Sequence, residues 1–156
     1  MTDHAADELA LRELAARYAI AADEGDGDGY ATIFLPGGHL VVFRPDDTDT
    51  PSTDLTGHDR LAAVPRLLAE RFDRTFHLIG QSIYAIGTDE ATGVIYCMAH
   101  HLTVNRDGAT DHVMHMRYRD DYRRDGHGVW KIAERIAHVD WTETRPADAP
   151  NPVRSP

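Results

Sequence analysis

The two residues with the clearest potential for chemistry are Asp23 and His77. The helical turn before Asp23 reads Ala-Ile-Ala-Ala and offers no polar side chain. A carboxylate at that point either projects into water or lies in a pocket, where burial neutralises it unless a partner compensates its charge. His77 stands where a strand is predicted to begin, and we expect it to be that partner. An Asp–His pair at the mouth of an apolar cavity can transfer protons at neutral pH.

Histidine is frequent, with 10 residues in a chain of 156. His100 and His101 are neighbours in a predicted strand, so their side chains point to opposite faces and at most one enters a cavity. The residue pattern alone leaves open which of the two does so. His112 and His115 are three residues apart, which also places them on opposite faces and is poor geometry for a shared metal ion. We therefore predict no metal site.

No glycine-rich phosphate loop and no serine nucleophile elbow occurs in the sequence, so we predict no cofactor. The charged residues Asp120, Asp121, Arg123 and Arg124 are interpreted as a solvated or cross-strand charged face.

The charge balance excludes some partners. Sixteen Lys and Arg against 26 Asp and Glu give a formal net charge of −10, whereas nucleic acids and anionic membranes require a basic surface. The single cysteine, Cys97, excludes an internal disulfide. Residues 1–8 lack the basic and apolar regions of a secretory signal, and no apolar stretch is long enough to span a membrane. We expect a soluble, cytoplasmic protein.

The hydrophobic periodicity predicts helices first and long strands afterwards. Helices are predicted at about 7–23, 29–34 and 61–72, with a strand at 39–43 between the last two. Four long strand-like runs follow at 76–86, 94–104, 112–123 and 129–141, separated by Asp- and Gly-containing turns. Residues 1–142 are predicted to be one domain, and residues 143–156, with four prolines, a mobile tail.

This order of elements predicts an α+β fold. Consecutive strands joined by short turns form an antiparallel meander. A strongly curved sheet of this kind would wrap around the first helix and leave an open cone lined by strand side chains, which is a natural site for a small molecule.

Three segments together resemble the SnoaL-like branch of the nuclear transport factor 2 superfamily. They are Leu14–Asp26, the strand entry Phe76–Gly80, and the ending that joins Tyr118–Arg124 through a glycine turn to Val129–Arg135. The resemblance covers roughly residues 8–141. It implies a cone-shaped barrel of curved antiparallel sheet wrapped around N-terminal helices, and a homodimer or larger homo-oligomer built on the outer face of the sheet.

The resemblance also implies roles for individual residues. Among lyases of this superfamily, scytalone dehydratase, bile-acid 7α-dehydratase and hexachlorocyclohexane dehydrochlorinase have an Asp at the end of helix one and a His on the strand after helix three, the positions of Asp23 and His77. Tyr18 resembles the helix-one Tyr of the bile-acid enzyme. His101 falls near the second histidine of scytalone dehydratase, and a one-residue gap would transfer that role to His100.

Three departures prevent the transfer of either dehydratase's substrate. The later Asp of the bile-acid enzyme is replaced here by the region of His100 and His101. Scytalone dehydratase has a Tyr immediately before the Asp, where this chain has Ala22. Its substrate-activating Tyr on the first strand falls near Val42 or Phe43, and neither can donate a hydrogen bond.

The resulting hypothesis is a cofactor-free lyase or isomerase that acts on a hydrophobic small molecule bearing a carbonyl or hydroxyl group. His77 is the expected base, Asp23 orients it, and Tyr18 or His101 donates a proton or hydrogen bond to the substrate. The side chains expected to line the cavity are Phe43, Met98, Met116 and Trp130. The alternatives are a non-catalytic binding or assembly module, and a partner subunit like the small subunit of ring-hydroxylating dioxygenases.

Overall fold

Four helices and six strands make up residues 4–150, which the computed structural model describes. In chain order they are α1 (His4–Glu24), α2 (Gly27–Thr32), β1 (Phe34–Phe43), β2 (Thr53–Thr56), α3 (His58–Ala62), α4 (Val64–Arg71), β3 (Arg74–Ile86), β4 (Glu90–Asn105), β5 (Gly108–Arg124) and β6 (Trp130–Ala147).

All six strands lie in one sheet, in the order β2-β1-β6-β5-β4-β3. The predicted α+β class and the predicted meander are confirmed, because β3 to β6 pair antiparallel with their sequence neighbours. The strands β1 and β6 pair in parallel, so the sheet is mixed and open rather than a closed antiparallel barrel. Helices before and between the strands cover one face of the curved sheet, as the resemblance implied.

The observed elements differ from the predicted ones at several places. Strand β2 was not predicted, and β4 and β5 each begin four residues before the predicted start. The predicted helix at 61–72 is two short helices, and Pro65 lies in the first turn of the second, where its missing N–H costs no hydrogen bond. Strand β1 begins at Phe34, five residues before the predicted start, with a register irregularity between Phe34 and His39. Strand β6 continues to Ala147, which pairs with Ala109, although the predicted tail begins at Glu143. Residues 151–156 of that tail lie outside the described residues.

The inner face of the sheet is identified by its alternating burial. In β4 the buried positions are Ala91, Gly93, Ile95, Cys97, Ala99 and His101, and the residues between them are more exposed. Helix α1 packs on this face with the buried side chains of Leu11, Leu14, Ala15, Tyr18 and Ala22. The period of two in the strands and the apolar stripe of the helix therefore meet in a single core.

An ion pair lies at the centre of that core. Arg135 and Asp120 have fully buried side chains, and the guanidinium donates two hydrogen bonds of 2.9 and 2.6 Å to the carboxylate. The guanidinium carbon lies 4.1 Å from the ring centroid of Tyr18 and 4.2 Å from that of Tyr118. Tyr122 donates a further hydrogen bond to Asp120. These contacts offset the desolvation of both charges.

Among residues 4–150 no helix combines the length and apolar character needed to cross a membrane.

His39 on β1 bridges two carboxylates from the neighbouring strands. Its Nδ1 lies 2.8 Å from Glu134 on β6 and its Nε2 lies 2.8 Å from Asp54 on β2. A neutral imidazole donates from only one nitrogen, so both bonds form only when the ring is protonated. The hydrogen bonds to Asp54 and Glu134 accordingly raise the pKa of His39 above its ordinary value.

This bridge predicts a loss of stability at alkaline pH. Because the folded-state pKa of His39 is raised, its contribution is complete below the unfolded-state pKa and disappears as the pH rises through the folded-state value. We expect His39→Gln to lower the free energy of unfolding by about 1 kcal/mol near pH 6 and by much less near pH 9. Urea denaturation at several pH values measures this difference, with the exposed His127→Gln as the matched control. A difference that does not change with pH would contradict the protonated bridge.

Candidate active site

The C-terminal end of α1 places the Asp23 carboxylate against the start of β3, where it accepts three hydrogen bonds. Oδ1 accepts from Nδ1 of His77 at 2.6 Å and from the hydroxyl of Thr75 at 2.9 Å. Oδ2 accepts from the backbone N–H of His77 at 2.9 Å. Thr75 and His77 lie on the same face of the strand because they are two residues apart. The structure therefore brings Asp23 and His77 together and adds Thr75 to the pair.

The electrostatics of the pair favour a charged carboxylate. Burial raises the pKa of Asp23, but the hydrogen bonds from the ring and backbone of His77 and from Thr75 outweigh burial and leave the pKa below its ordinary value. The side chains of His77 and Asp23 are 8% and 21% exposed. A carboxylate can only accept, so Nδ1 of His77 carries a proton, and in the neutral tautomer of the ring Nε2 has the lone pair. Within residues 4–150 no hydrogen-bond partner occupies that Nε2.

His101 is the histidine that faces the core, next to His77. Strand register pairs it with Thr75, and its ring centroid lies 5.9 Å from that of His77 with the rings nearly perpendicular. Its Nδ1 donates to the backbone carbonyl of His112 at 3.2 Å. Burial, with the nearby His77 as the second cause, lowers the pKa of His101 to about 4. The ring is therefore neutral near pH 7, and its Nε2 is an acceptor.

His100 points to the opposite, outer face of the sheet. There its Nδ1 pairs with Asp111 at 2.8 Å, away from Asp23 and His77.

Tyr18 lies deeper in the core and makes no hydrogen bond to Asp23 or His77. Its ring packs against Tyr30 and Tyr118, with centroid distances of 4.7 and 5.6 Å, and against the guanidinium of Arg135. Burial raises the pKa of Tyr18, so the hydroxyl stays protonated at neutral pH. It can donate a hydrogen bond only to a ligand group that reaches into the core.

The predicted lining residues fall on both faces of the sheet. Met116 is buried on the inner face. Trp130 is buried too, but its indole N–H donates to Asp7 at 2.8 Å, which fastens the start of α1 to β6. Phe43 and Met98 lie on the outer face, where Phe43 stacks on His138 and Met98 pairs with His115. The structure brings neither of these two to the Asp23–His77 pair.

Three residues, two beside the site and one in the core, were not predicted from the sequence. Thr75 could have been found, because it is two residues before His77 on a strand. Phe72, whose ring centroid lies 4.7 Å from that of His101, was expected inside a longer helix. Arg135 carried no signal, because its partner Asp120 belonged to a segment interpreted as a solvated face; Nη1 of Arg135 is buried and has no hydrogen-bond partner among residues 4–150.

Three solved structures illustrate the likeness of the fold. A putative scytalone dehydratase from Novosphingobium aromaticivorans superposes with a TM-score of 0.77 at 19% identity, covering 100% of both chains. The type-3 hexachlorocyclohexane dehydrochlorinase LinA from Novosphingobium barchaimii gives 0.77 at 16% identity, covering 97% of this chain and 98% of that one. An NTF2-like protein with a cystatin-like fold from Novosphingobium aromaticivorans gives 0.69 at 23% identity, covering 86% and 82%.

At these identities the structural likeness establishes the fold alone. No curated protein gives a significant sequence match. The sequence model of the SnoaL-like domain matches residues 3–136, which is most of the chain. The protein therefore belongs to the SnoaL-like domain family, within the NTF2-like fold.

Proposed function

We propose that this protein is a cofactor-free lyase or isomerase, in which Asp23 and His77 carry out general acid–base chemistry on a hydrophobic small molecule with a carbonyl or hydroxyl group. The observation that carries the proposal is the 2.6 Å hydrogen bond from Nδ1 of His77 to a largely buried carboxylate. It leaves Nε2 of His77 as an oriented and unengaged base. The lyases among the structural neighbours are consistent with this class of chemistry.

In the proposed reaction, Nε2 of His77 takes a proton from a carbon next to an electron-withdrawing group. The electron pair of the C–H bond then forms a new double bond. In an elimination, the neighbouring carbon loses its hydroxyl group, which leaves as water after accepting a proton from the His77 imidazolium. In an isomerisation, the imidazolium returns the proton to a different carbon. Asp23 holds Nδ1–H throughout and stabilises the imidazolium.

His101 fits an accepting role better than the donating role expected from the sequence. Its Nδ1 proton is engaged by the carbonyl of His112, and its low pKa keeps Nε2 unprotonated. We assign Nε2 to accept a hydrogen bond from a substrate hydroxyl, while the protonated His77 supplies the acid. The candidate hydrogen-bond donors to a developing oxyanion are the Tyr18 hydroxyl and Nη1 of Arg135, which has no partner among residues 4–150.

Isotope exchange tests the proposal with any compound of the right chemical class. Carbonyl compounds with apolar rings are incubated in D2O with the protein, and NMR follows deuterium incorporation at carbon or the appearance of an alkene. We expect His77→Gln and Asp23→Asn each to lower the rate by about 10²–10⁴-fold, because each removes a group that acts in the transition state. The matched control is Glu24→Gln, which removes the same charge from the exposed residue beside Asp23.

The same panel separates the enzyme from a binding module. Compounds that bind to the wild type without exchange or elimination, and bind equally to His77→Gln and Asp23→Asn, would contradict the catalytic proposal and favour a non-catalytic binder.

We further propose that the protein forms a homodimer or larger homo-oligomer through the outer face of the sheet. Leu78, Ile83, Tyr96 and Trp141 project from this face with exposed fractions between 42% and 74%. Apolar side chains concentrated on one face are typical of a protein–protein contact.

Light scattering after size exclusion measures this directly. We expect a multiple of 17.4 kDa for the wild type and a monomer for Ile83→Arg. The new arginine would lose its hydration on association and replace an exposed apolar side chain of the proposed contact. Leu67→Arg, on the exposed side of α4, is the control and should not change the mass. A monomeric wild type would contradict the proposed contact.

A further inference from the structure

Phe72, immediately after α4, packs against His101, which is the neighbour of His77 at the site. Its ring centroid lies 4.7 Å from that of His101, which in turn lies 5.9 Å from that of His77. The guanidinium of Arg71 lies over the Phe72 ring at 5.3 Å. Phe72 therefore closes the side of the imidazole pair next to His101, and its own ring is partly exposed to solvent.

The site is closed in this conformation. The side chain of His77 is 8% exposed, and His101 is 4% exposed. A base so enclosed meets a carbon-bound proton only if a covering element moves, since the reacting atoms must approach to about 3–3.5 Å.

Helix α4 carries the covering ring at its C-terminal end, and its Val64 and Leu68 pack against the core as partly buried side chains. Of its eight residues only Pro65 is buried, and Leu67 on the same helix is 50% exposed. It is also separated from α3 by a break at Ala63. Movement of this helix would expose Pro65 and release Val64 and Leu68 from the core, while its other side chains are already exposed. A helix held by so few side chains is typical of segments that open locally at low free energy.

The chain just after Phe72 is fixed to the sheet. The backbone N–H of Asp73 donates to the carbonyl of Leu102 at 2.9 Å, and the Asp73 carboxylate accepts from the backbone N–H of Val104 at 2.7 Å. Asp73 is thus clamped to β4, while the helix before it is loosely held. This arrangement provides a pivot next to the covering ring.

We propose that Phe72 is the gate of the Asp23–His77 site, and that α4 moves about the anchored Asp73 to withdraw the ring from His101. This gate rests on the proposed function, which supplies the class of molecule that enters the site. Because the Phe72 ring occupies the place beside His101 that a planar substrate ring would take, the size of residue 72 also limits the size of the accepted molecule.

Access is measured with diethyl pyrocarbonate, which modifies unprotonated histidine nitrogens, and peptide mass spectrometry gives the rate at each histidine. In the wild type, His77 and His101 should react at least about ten-fold more slowly than the exposed His127. Phe72→Ala should raise the rates at His77 and His101 several-fold and leave His127 unchanged. Leu67→Ala, an apolar truncation on the same helix that does not touch His101, is the matched control.

Hydrogen exchange on the wild type provides a second measurement that needs no variant. Amides of α4 should exchange well before those of the long paired strands β4 and β5. Equal protection of α4 and the strands would overturn the gate, as would rates at His77 and His101 that Phe72→Ala does not change.

The outcomes for gate and function are distinguishable. If Phe72→Ala exposes the histidines but no compound undergoes exchange or elimination, the gate stands and the catalytic proposal fails. If catalysis occurs and depends on His77 while Phe72→Ala alters neither histidine access nor the largest ring that reacts, the gate fails alone.

Discussion

The carboxylate of Asp23 is the constraint on which the architecture of the site depends. It ends a helix whose last turn is apolar, and it lies where the N-terminal helix meets the edge of the sheet. A carboxylate in that position must be compensated, and it accepts hydrogen bonds from the His77 ring, the His77 backbone and Thr75. These bonds set the position of α1 along β3 and also the tautomer of His77. The same three contacts therefore join α1 to β3 and orient the His77 ring.

A second buried charge shapes the inside of the cone. The ion pair of Arg135 and Asp120 lies between two tyrosine rings, with one guanidinium nitrogen left unpaired. In many proteins, replacing a buried ion pair by apolar residues of similar volume leaves the protein equally stable. Stability alone therefore does not explain why Arg135 and Asp120 are charged. The pair places a charged group deep in the core, in contact with the rings of Tyr18 and Tyr118.

Much of the fold was predictable from local pattern. The long strands, their turns and the apolar end of α1 follow from periodicity and turn chemistry, which act over a few residues. The parallel pairing of β1 with β6 was not predictable in this way, because the two strands are about ninety residues apart and no local signal records their contact. The sequence did not decide between one helix and two, because Pro65 is tolerated in the first turn of either a long or a short helix.

The site was predictable in part. The apolar turn before Asp23 and the resemblance to the SnoaL-like family nominated Asp23 and His77, and two-residue alternation indicated that at most one of His100 and His101 faces inward. The resemblance favoured His101, and the register between β3 and β4 places it next to His77. Phe43 and Met98 were expected in the cavity, but both lie on the outer face of the sheet. Alternation divides the residues of a strand between two faces but does not show which face the helices cover. Arg135 and Asp120 could not be found, because each looks like a surface charge until the fold pairs them.

The most direct test of the Asp23–His77 pair is the NMR titration of the Asp23 side-chain carboxyl carbon in the wild type and in His77→Gln. The exposed Asp28 serves as the internal reference. The structure predicts that Asp23 titrates below the ordinary value for an aspartate in the wild type, and that its pKa rises in His77→Gln, where the strongest donor is gone. An Asp23 that titrates at the same, ordinary value in both proteins would show that the two side chains are not coupled, and the acid–base account would be wrong.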